Sequence, residues 1–103
     1  MIRTLTRLIG MILSFKDKLT ESIDSGSVRK GFPPDLVRRA QQLLYVLDIT
    51  KDVNNLRSPP GNRLEKLSGD RLGQYSIRIN KQWRICFMWT DAGPKDVEIT
   101  DYH

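Results

Sequence analysis

Two stretches of alternating apolar and polar residues, at 74–79 and 83–89, most constrain how this chain folds. Successive side chains of a β-strand point to opposite faces, so each stretch predicts a strand with one apolar face. The apolar positions are Tyr75, Ile77, Ile79, Trp83, Ile85, Phe87 and Trp89. Because only residues 80–82 separate the two stretches, the pattern predicts an antiparallel hairpin.

The segment before this hairpin has the periodicity of a helix. Pro33, Pro34 and Asp35 favour a helix start, because proline fits the first turn and a carboxylate complements the helix dipole. Apolar residues then recur at helical spacing as one stripe. The stripe consists of Leu36, Ala40, Leu43, Leu44 and Leu47. We expect it to pack on the apolar face of the hairpin as core, and not to form a cofactor site.

The remaining elements follow from turn residues and shorter apolar runs. We expect strands at residues 11–15, 63–67 and 96–101, and a short helix at 16–24 that ends at Ser25-Gly26. A further helical turn at 50–56 and a Pro/Gly loop at 57–62 precede the sheet, which has turns at 68–73 and 90–95. This order predicts an α+β fold in which N-terminal helices pack on one face of a mainly antiparallel sheet. The opposite face is then free for a ligand.

The charge balance favours a polyanionic partner. Seventeen Lys and Arg residues against twelve Asp and Glu residues give the 103-residue chain a net charge of +5. This balance favours nucleic acid, with an ordinary basic surface as the alternative. The single cysteine, Cys86, lies in an apolar run, which indicates buried packing and suits a reducing cytoplasm. Arg3 and Arg7 interrupt the short apolar N-terminus, so we expect no membrane span.

Several enzyme classes do not fit the sequence. One histidine and one cysteine cannot form a zinc site of nitrogen and sulfur ligands, and no glycine-rich phosphate loop is present. A serine–histidine–aspartate triad is formally possible with His103, but no nucleophile-elbow motif supports it. The Arg, Lys, Tyr, Asp and His residues that remain suit RNA cleavage without a metal or cofactor, because the 2′-hydroxyl of RNA supplies the nucleophile.

The polar face of the hairpin carries Arg78 and Arg84 side by side on adjacent strands. Two guanidinium groups can hold a phosphate and stabilise the charge that develops on it during cleavage. The alternative is cross-strand surface charge balanced by Glu98 or Asp101. Four further basic residues are expected to follow the RNA backbone if RNA is the ligand, and otherwise form a solvated face. They are Arg63, Lys66, Arg71 and Lys81.

The C-terminal triplet supplies the other chemical groups. His103 is the natural general acid or base, because imidazole changes charge near neutral pH. Asp101 can orient His103 or hold a nearby arginine, and Tyr102 can stack on a base or donate a hydrogen bond. From position alone the alternatives are a frayed terminal histidine and a tyrosine that closes the core.

These residues stand in blocks that resemble a known family. Residues 64–71, 73–78 and 80–87, with the ending Asp101-Tyr102-His103, resemble the HigB branch of the RelE/ParE toxin superfamily. Residues 11–16 look like the usual start of these toxins, and residues 57–64 resemble the GraT-like subgroup. The resemblance covers residues 11–103 as one domain and leaves residues 1–10 as an extension, which an upstream start codon would explain.

The resemblance implies a ribosome-dependent endoribonuclease that cuts mRNA in the ribosomal A site. It also implies a HigA-type helix-turn-helix antitoxin that neutralises the toxin and brings it to operator DNA. By position, Arg84, Asp101, Tyr102 and His103 match the catalytic or RNA-contacting residues of the family, and Gln82 matches a polar residue near the substrate.

One departure from the family concerns Glu65, which stands where many HigB toxins have a histidine. A glutamate there can act as a base or hold an arginine. Two rival functions therefore stay open. The first is a toxin with another target, such as DNA gyrase. The second is a catalytically weakened module that binds antitoxin and tunes operon repression.

Overall fold

The two alternating stretches form the centre of a four-stranded antiparallel sheet in the computed structural model, which describes residues 11–27 and 30–101. The strands lie in the order β1-β2-β3-β4, with β1 at Glu65–Lys66, β2 at Gln74–Arg78, β3 at Trp83–Thr90 and β4 at Gly93–Asp101. Asn80 closes the β2–β3 turn, because its Oδ1 accepts hydrogen bonds from the backbone N–H groups of Gln82 and Trp83. The predicted hairpin is confirmed.

Two α-helices precede the sheet. Helix α1 spans Lys18–Ser25, is capped by the Asp17 carboxylate on Thr20 N–H at 2.9 Å, and ends at Gly26 in the left-handed conformation. Helix α2 spans Val37–Ile49 and is preceded by one 3-10 turn at Pro34–Leu36. Both helices lie where the sequence predicts them. None of the described helices is long and apolar enough to cross a membrane.

The helices pack on one face of the sheet, as expected for the predicted α+β fold. Ala40, Leu43, Leu44 and Leu47 of the predicted stripe are buried in the main core, and Leu36 packs against it. From β2, β3 and β4 the core receives Ile77, Ile79, Ile85, Phe87, Val97 and Ile99. Thr20 on α1 fixes this packing, because its buried hydroxyl accepts the Ile99 backbone N–H at 2.8 Å.

Three predicted strand boundaries differ from the structure. Residues 11–15 do not form a regular strand. They run extended beside β4, with one parallel bridge between Phe15 and Val97. The edge strand β1 is two residues long instead of five, because a 3-10 turn at Pro60–Asn62 leads to Arg63 in the left-handed conformation.

The third difference is the start of β4. Gly93 and Pro94 belong to the strand and not to the turn, and Pro94 pairs with Trp89. Proline is tolerated there because β4 has only β3 as a strand neighbour, and the Pro94 carbonyl accepts the Leu13 N–H. The further helical turn expected at 50–56 is present as a 3-10 helix at Val53–Arg57.

Candidate active site

The sheet face turned away from the helices, here called the open face, carries two cross-strand rows of polar side chains. Residues directly opposite each other on antiparallel strands share a face. The first row crosses all four strands and consists of Glu65, Ser76, Cys86 and Glu98. The second row consists of Arg78, Arg84 and Thr100. The predicted placement of both arginines on one face is therefore confirmed.

Arg84 is held by three groups on the open face. Its Nε donates to the buried Ser76 hydroxyl at 2.8 Å, and its Nη2 donates to the Arg63 carbonyl at 2.7 Å. The same Nη2 lies 3.5 Å from the Glu65 carboxylate. Within residues 11–27 and 30–101, no hydrogen bond or ion pair uses the remaining nitrogen, Nη1. The side chain is 11% exposed, so these partners fix one orientation of the guanidinium group.

Arg78 lies directly opposite Arg84 across β2 and β3. Like charges in this position repel each other and destabilise a sheet unless an anion lies between or beside them. The carboxylate beside Arg84 is Glu65, in place of the Glu98 or Asp101 of the alternative interpretation. The two adjacent guanidinium groups are the feature of the open face that most resembles a binding site for a phosphate.

A second arginine–carboxylate pair covers the middle of the open face. Arg71 Nη1 lies 3.1 Å from the Glu98 carboxylate and 3.0 Å from Gln74 Oε1. Cys86 is fully buried beside this pair, and burial raises the pKa of its thiol above the ordinary value. The predicted packing role of Cys86 is thus supported, and Arg71 is engaged within the protein.

Gln82 and Asp101 meet at the end of the sheet nearest Arg84. The Gln82 amide Nε2 donates to Asp101 Oδ2 at 2.9 Å. In the β3–β4 register Asp101 lies opposite Trp83, while Thr100 is the residue opposite Arg84. Because paired residues share a face, Asp101 lies on the Trp83 side of the sheet, next to the end of the arginine row but on the other face.

The other predicted site residues divide into separate groups. Lys66 lies opposite Tyr75, on the face away from Arg84, with its Nζ 6.0 Å from the centre of the Tyr75 ring. Lys81 is exposed in the β2–β3 turn. Tyr102 and His103 lie outside the described residues, as does the 1–10 extension. The described part of the chain contains no group of three or more His, Cys, Asp or Glu residues that could hold a metal ion.

Sequence reasoning missed two partners of Arg84. Ser76 reads as an unremarkable polar position, although its alternation with Tyr75 and Ile77 already placed it on the open face. The Arg63 carbonyl carries no sequence signal, because its position depends on the 3-10 turn before it.

The same arrangement of helices on one face of an antiparallel sheet is found in a solved structure of another protein. The chain superimposes on a structure titled YoeB-YefM complex from Staphylococcus aureus with a TM-score of 0.59. The match covers 91% of this chain and 97% of that chain at 23% identity, which shows likeness of fold.

Residues 13–103 match the family described as RelE-like toxin of type II toxin-antitoxin system HigB, and the chain belongs to this family. It is 42% identical over 83 residues to Toxin HigB-1 of Vibrio cholerae, covering 80% of this chain and 87% of that protein. It is 31% identical over 93 residues to Endoribonuclease HigB of Proteus vulgaris, covering 90% of this chain and all of that protein. The predicted HigB resemblance is confirmed, and assignment to the GraT-like subgroup stays a prediction.

Proposed function

We propose that this toxin is an endoribonuclease that cuts mRNA in the ribosomal A site and so inhibits translation. The observation that carries the proposal is the Arg78–Arg84 pair on the open face. Two adjacent guanidinium groups suit a phosphodiester, whose charge they neutralise in the ground state and still more during cleavage. The name of the Proteus vulgaris relative, Endoribonuclease HigB, supports the same reaction.

In the proposed reaction the 2′-hydroxyl attacks the adjacent phosphorus, and the bond to the leaving 5′-oxygen breaks. One proton leaves the 2′-hydroxyl and one is delivered to the 5′-oxygen, so the products are a cyclic phosphate and a free 5′-hydroxyl. Arg84 stabilises the added charge on the phosphate oxygens through Nη1, because Nε and Nη2 are already used by the protein. Arg78 adds a second positive charge beside it.

We assign proton transfer to His103, with Asp101 as its orienting partner and Tyr102 as a contact to the RNA. The Gln82–Asp101 hydrogen bond supports an orienting role for Asp101, since it holds the carboxylate at the end of the sheet nearest Arg84, with the side chain on the Trp83 face. Glu65 is assigned to holding Arg84, on the basis of its 3.5 Å contact with Nη2. Arg63 and Lys81 are candidate contacts to the RNA backbone, whereas Arg71 is engaged with Glu98 and Gln74 and Lys66 faces away from this path.

The proposed function also concerns the antitoxin partner, the need for a cofactor and the cellular compartment. We infer a HigA-type helix-turn-helix antitoxin, which blocks the toxin and carries it to operator DNA within the complex. The reaction is proposed to need neither a metal nor a cofactor, because the RNA supplies its own nucleophile. The ribosome, mRNA and antitoxin place this activity in the cytoplasm.

The test is to incubate purified toxin with a defined mRNA, with and without programmed ribosomes, and to map the new RNA ends. We expect cuts within the A-site codon only when ribosomes are present. Parallel reactions contain gyrase with plasmid DNA, or the purified antitoxin. Intact mRNA together with altered DNA supercoiling would support a gyrase target instead, and intact mRNA with retained antitoxin binding would support the weakened module.

A further inference from the structure

One part of the helix-side face of the sheet is not covered by either helix. The backbones of helices α1 and α2 approach β4 most closely, and the Pro60–Asn62 turn lies near β2. At the far end of β2 and β3 this arrangement leaves Tyr75 and Trp89 only partly buried. A cavity of about 440 Å³ lies there, bounded by the β1 edge strand and the connector after it. Its size is in the range of sites that take several apolar groups.

The lining of this cavity combines apolar side chains with polar groups, among them Gln74, and carries one charge. Leu72, at its rim, is 78% exposed and is the most exposed large apolar residue among those that the structure describes. Lys66 is the one charged residue of the lining. Tyrosine and tryptophan are enriched among the residues that carry most of the binding energy at protein interfaces.

The cavity is poorly suited to a stacked nucleobase. Tyr75 stacks on Phe87 with ring centres 6.1 Å apart and planes at 18°, so one of its faces is occupied. The Lys66 ammonium lies over the Tyr75 ring at 6.0 Å. Trp89 in turn packs edge-on against Phe87. Because these rings are engaged with each other, the open space favours inserted aliphatic side chains over a flat base.

We propose that this cavity is a docking site for apolar side chains on an acidic segment of the antitoxin. The partner's chemistry follows from charge, since Lys66 at the rim and the net charge of +5 favour a segment that carries carboxylates. The proposal rests on the proposed function for the antitoxin as partner. Trp89 lies five residues along β3 from Arg84 and on the other face, about 17 Å away at the rise of a strand. A segment docked at the cavity therefore does not need to contact Arg84.

The test is to measure the affinity of Leu72→Glu for the purified antitoxin from the same operon by calorimetry. The exposed position tolerates the change, so thermal unfolding and cleavage of ribosome-bound mRNA should match the unmodified toxin. Tyr45→Glu is the matched control, because Tyr45 is 63% exposed on α2, another apolar surface. We expect Leu72→Glu to raise Kd by about tenfold or more and Tyr45→Glu by less than about threefold.

One further variant tests the contribution of charge at the cavity. Lys66→Glu should slow association with the antitoxin, most clearly at low salt. Equal affinities for Leu72→Glu and the unmodified toxin would overturn the docking site while leaving the antitoxin partnership intact. A larger effect of Tyr45→Glu on antitoxin affinity would move the interface to α2. Loss of mRNA cleavage by Leu72→Glu with unchanged antitoxin affinity would assign the cavity to RNA or the ribosome. Failure of the unmodified toxin to bind its antitoxin would overturn both this site and the proposed partnership.

Discussion

Changing Glu65 to glutamine separates two roles that a carboxylate can have beside Arg84. In the structure its oxygen lies 3.5 Å from Arg84 Nη2, and the glutamate side chain is 55% exposed. An ion pair this exposed stabilises the arginine by at most about 1 kcal/mol, which corresponds to about a fivefold change in rate. Loss of a general base would instead lower the rate by about 100-fold to 10,000-fold. We therefore expect Glu65→Gln to cut RNA about two to five times more slowly.

The assay is single-turnover cleavage of mRNA on programmed ribosomes, followed across pH. Glu21→Gln is the matched control, since Glu21 is an exposed carboxylate on α1, which packs on the other side of the sheet. The pH–rate profile of Glu65→Gln should keep its shape, because a carboxylate that only positions Arg84 takes no part in proton transfer. A loss greater than about 100-fold with unchanged thermal unfolding would refute the positioning role and make Glu65 the base.

Three further predictions concern the fold. Phe87→Ala should lower the free energy of unfolding by about 3–5 kcal/mol in denaturant titrations, because Phe87 is fully buried. A loss below about 1 kcal/mol would contradict the placement of Phe87 in the core. Cys86 should resist thiol reagents in the folded protein at neutral pH, because burial raises the pKa of its thiol and keeps it protonated. For the same reason, the stability of the protein should fall as alkaline pH ionises this thiol. Rapid labelling of Cys86 without unfolding would contradict its burial. Gly93→Ala should lower the melting temperature, because φ of Gly93 is +136° and a Cβ on this residue would meet the Met11 carbonyl. An unchanged melting temperature would show that residues 11–13 do not pack against Gly93.

The arginine pair shows what sequence periodicity can predict. Alternation alone placed Arg78 and Arg84 on the face away from the core, because a strand sends every second side chain to the same side. The short turn at residues 80–82 then fixed the register that sets them opposite each other. The leucine stripe on α2 was predictable for the same reason, since its period matches one helix face.

The contacts of the site depend on distant parts of the chain. The Arg71–Glu98 pair joins residues 27 positions apart, and the Thr20–Ile99 hydrogen bond joins residues 79 positions apart. No local pattern encodes such pairs. The turn assigned to Gly93 and Pro94 was wrong for a related reason, because the segment around Leu13 pairs beside β4 and lets the strand begin earlier. The uncovered cavity likewise depends on where the helices end, which the sequence does not fix.

The central claim is that Arg84 stabilises the charge that develops as the RNA backbone is cut. The most direct measurement is the single-turnover cleavage rate of Arg84→Ala on programmed ribosomes, with Arg38→Ala on α2 as the control for loss of one surface positive charge. We predict a loss of about 100-fold or more for Arg84→Ala, with antitoxin binding retained, and a rate close to that of the unmodified toxin for Arg38→Ala. Cleavage by Arg84→Ala within about threefold of the unmodified toxin would contradict the assignment of the open face as the active site.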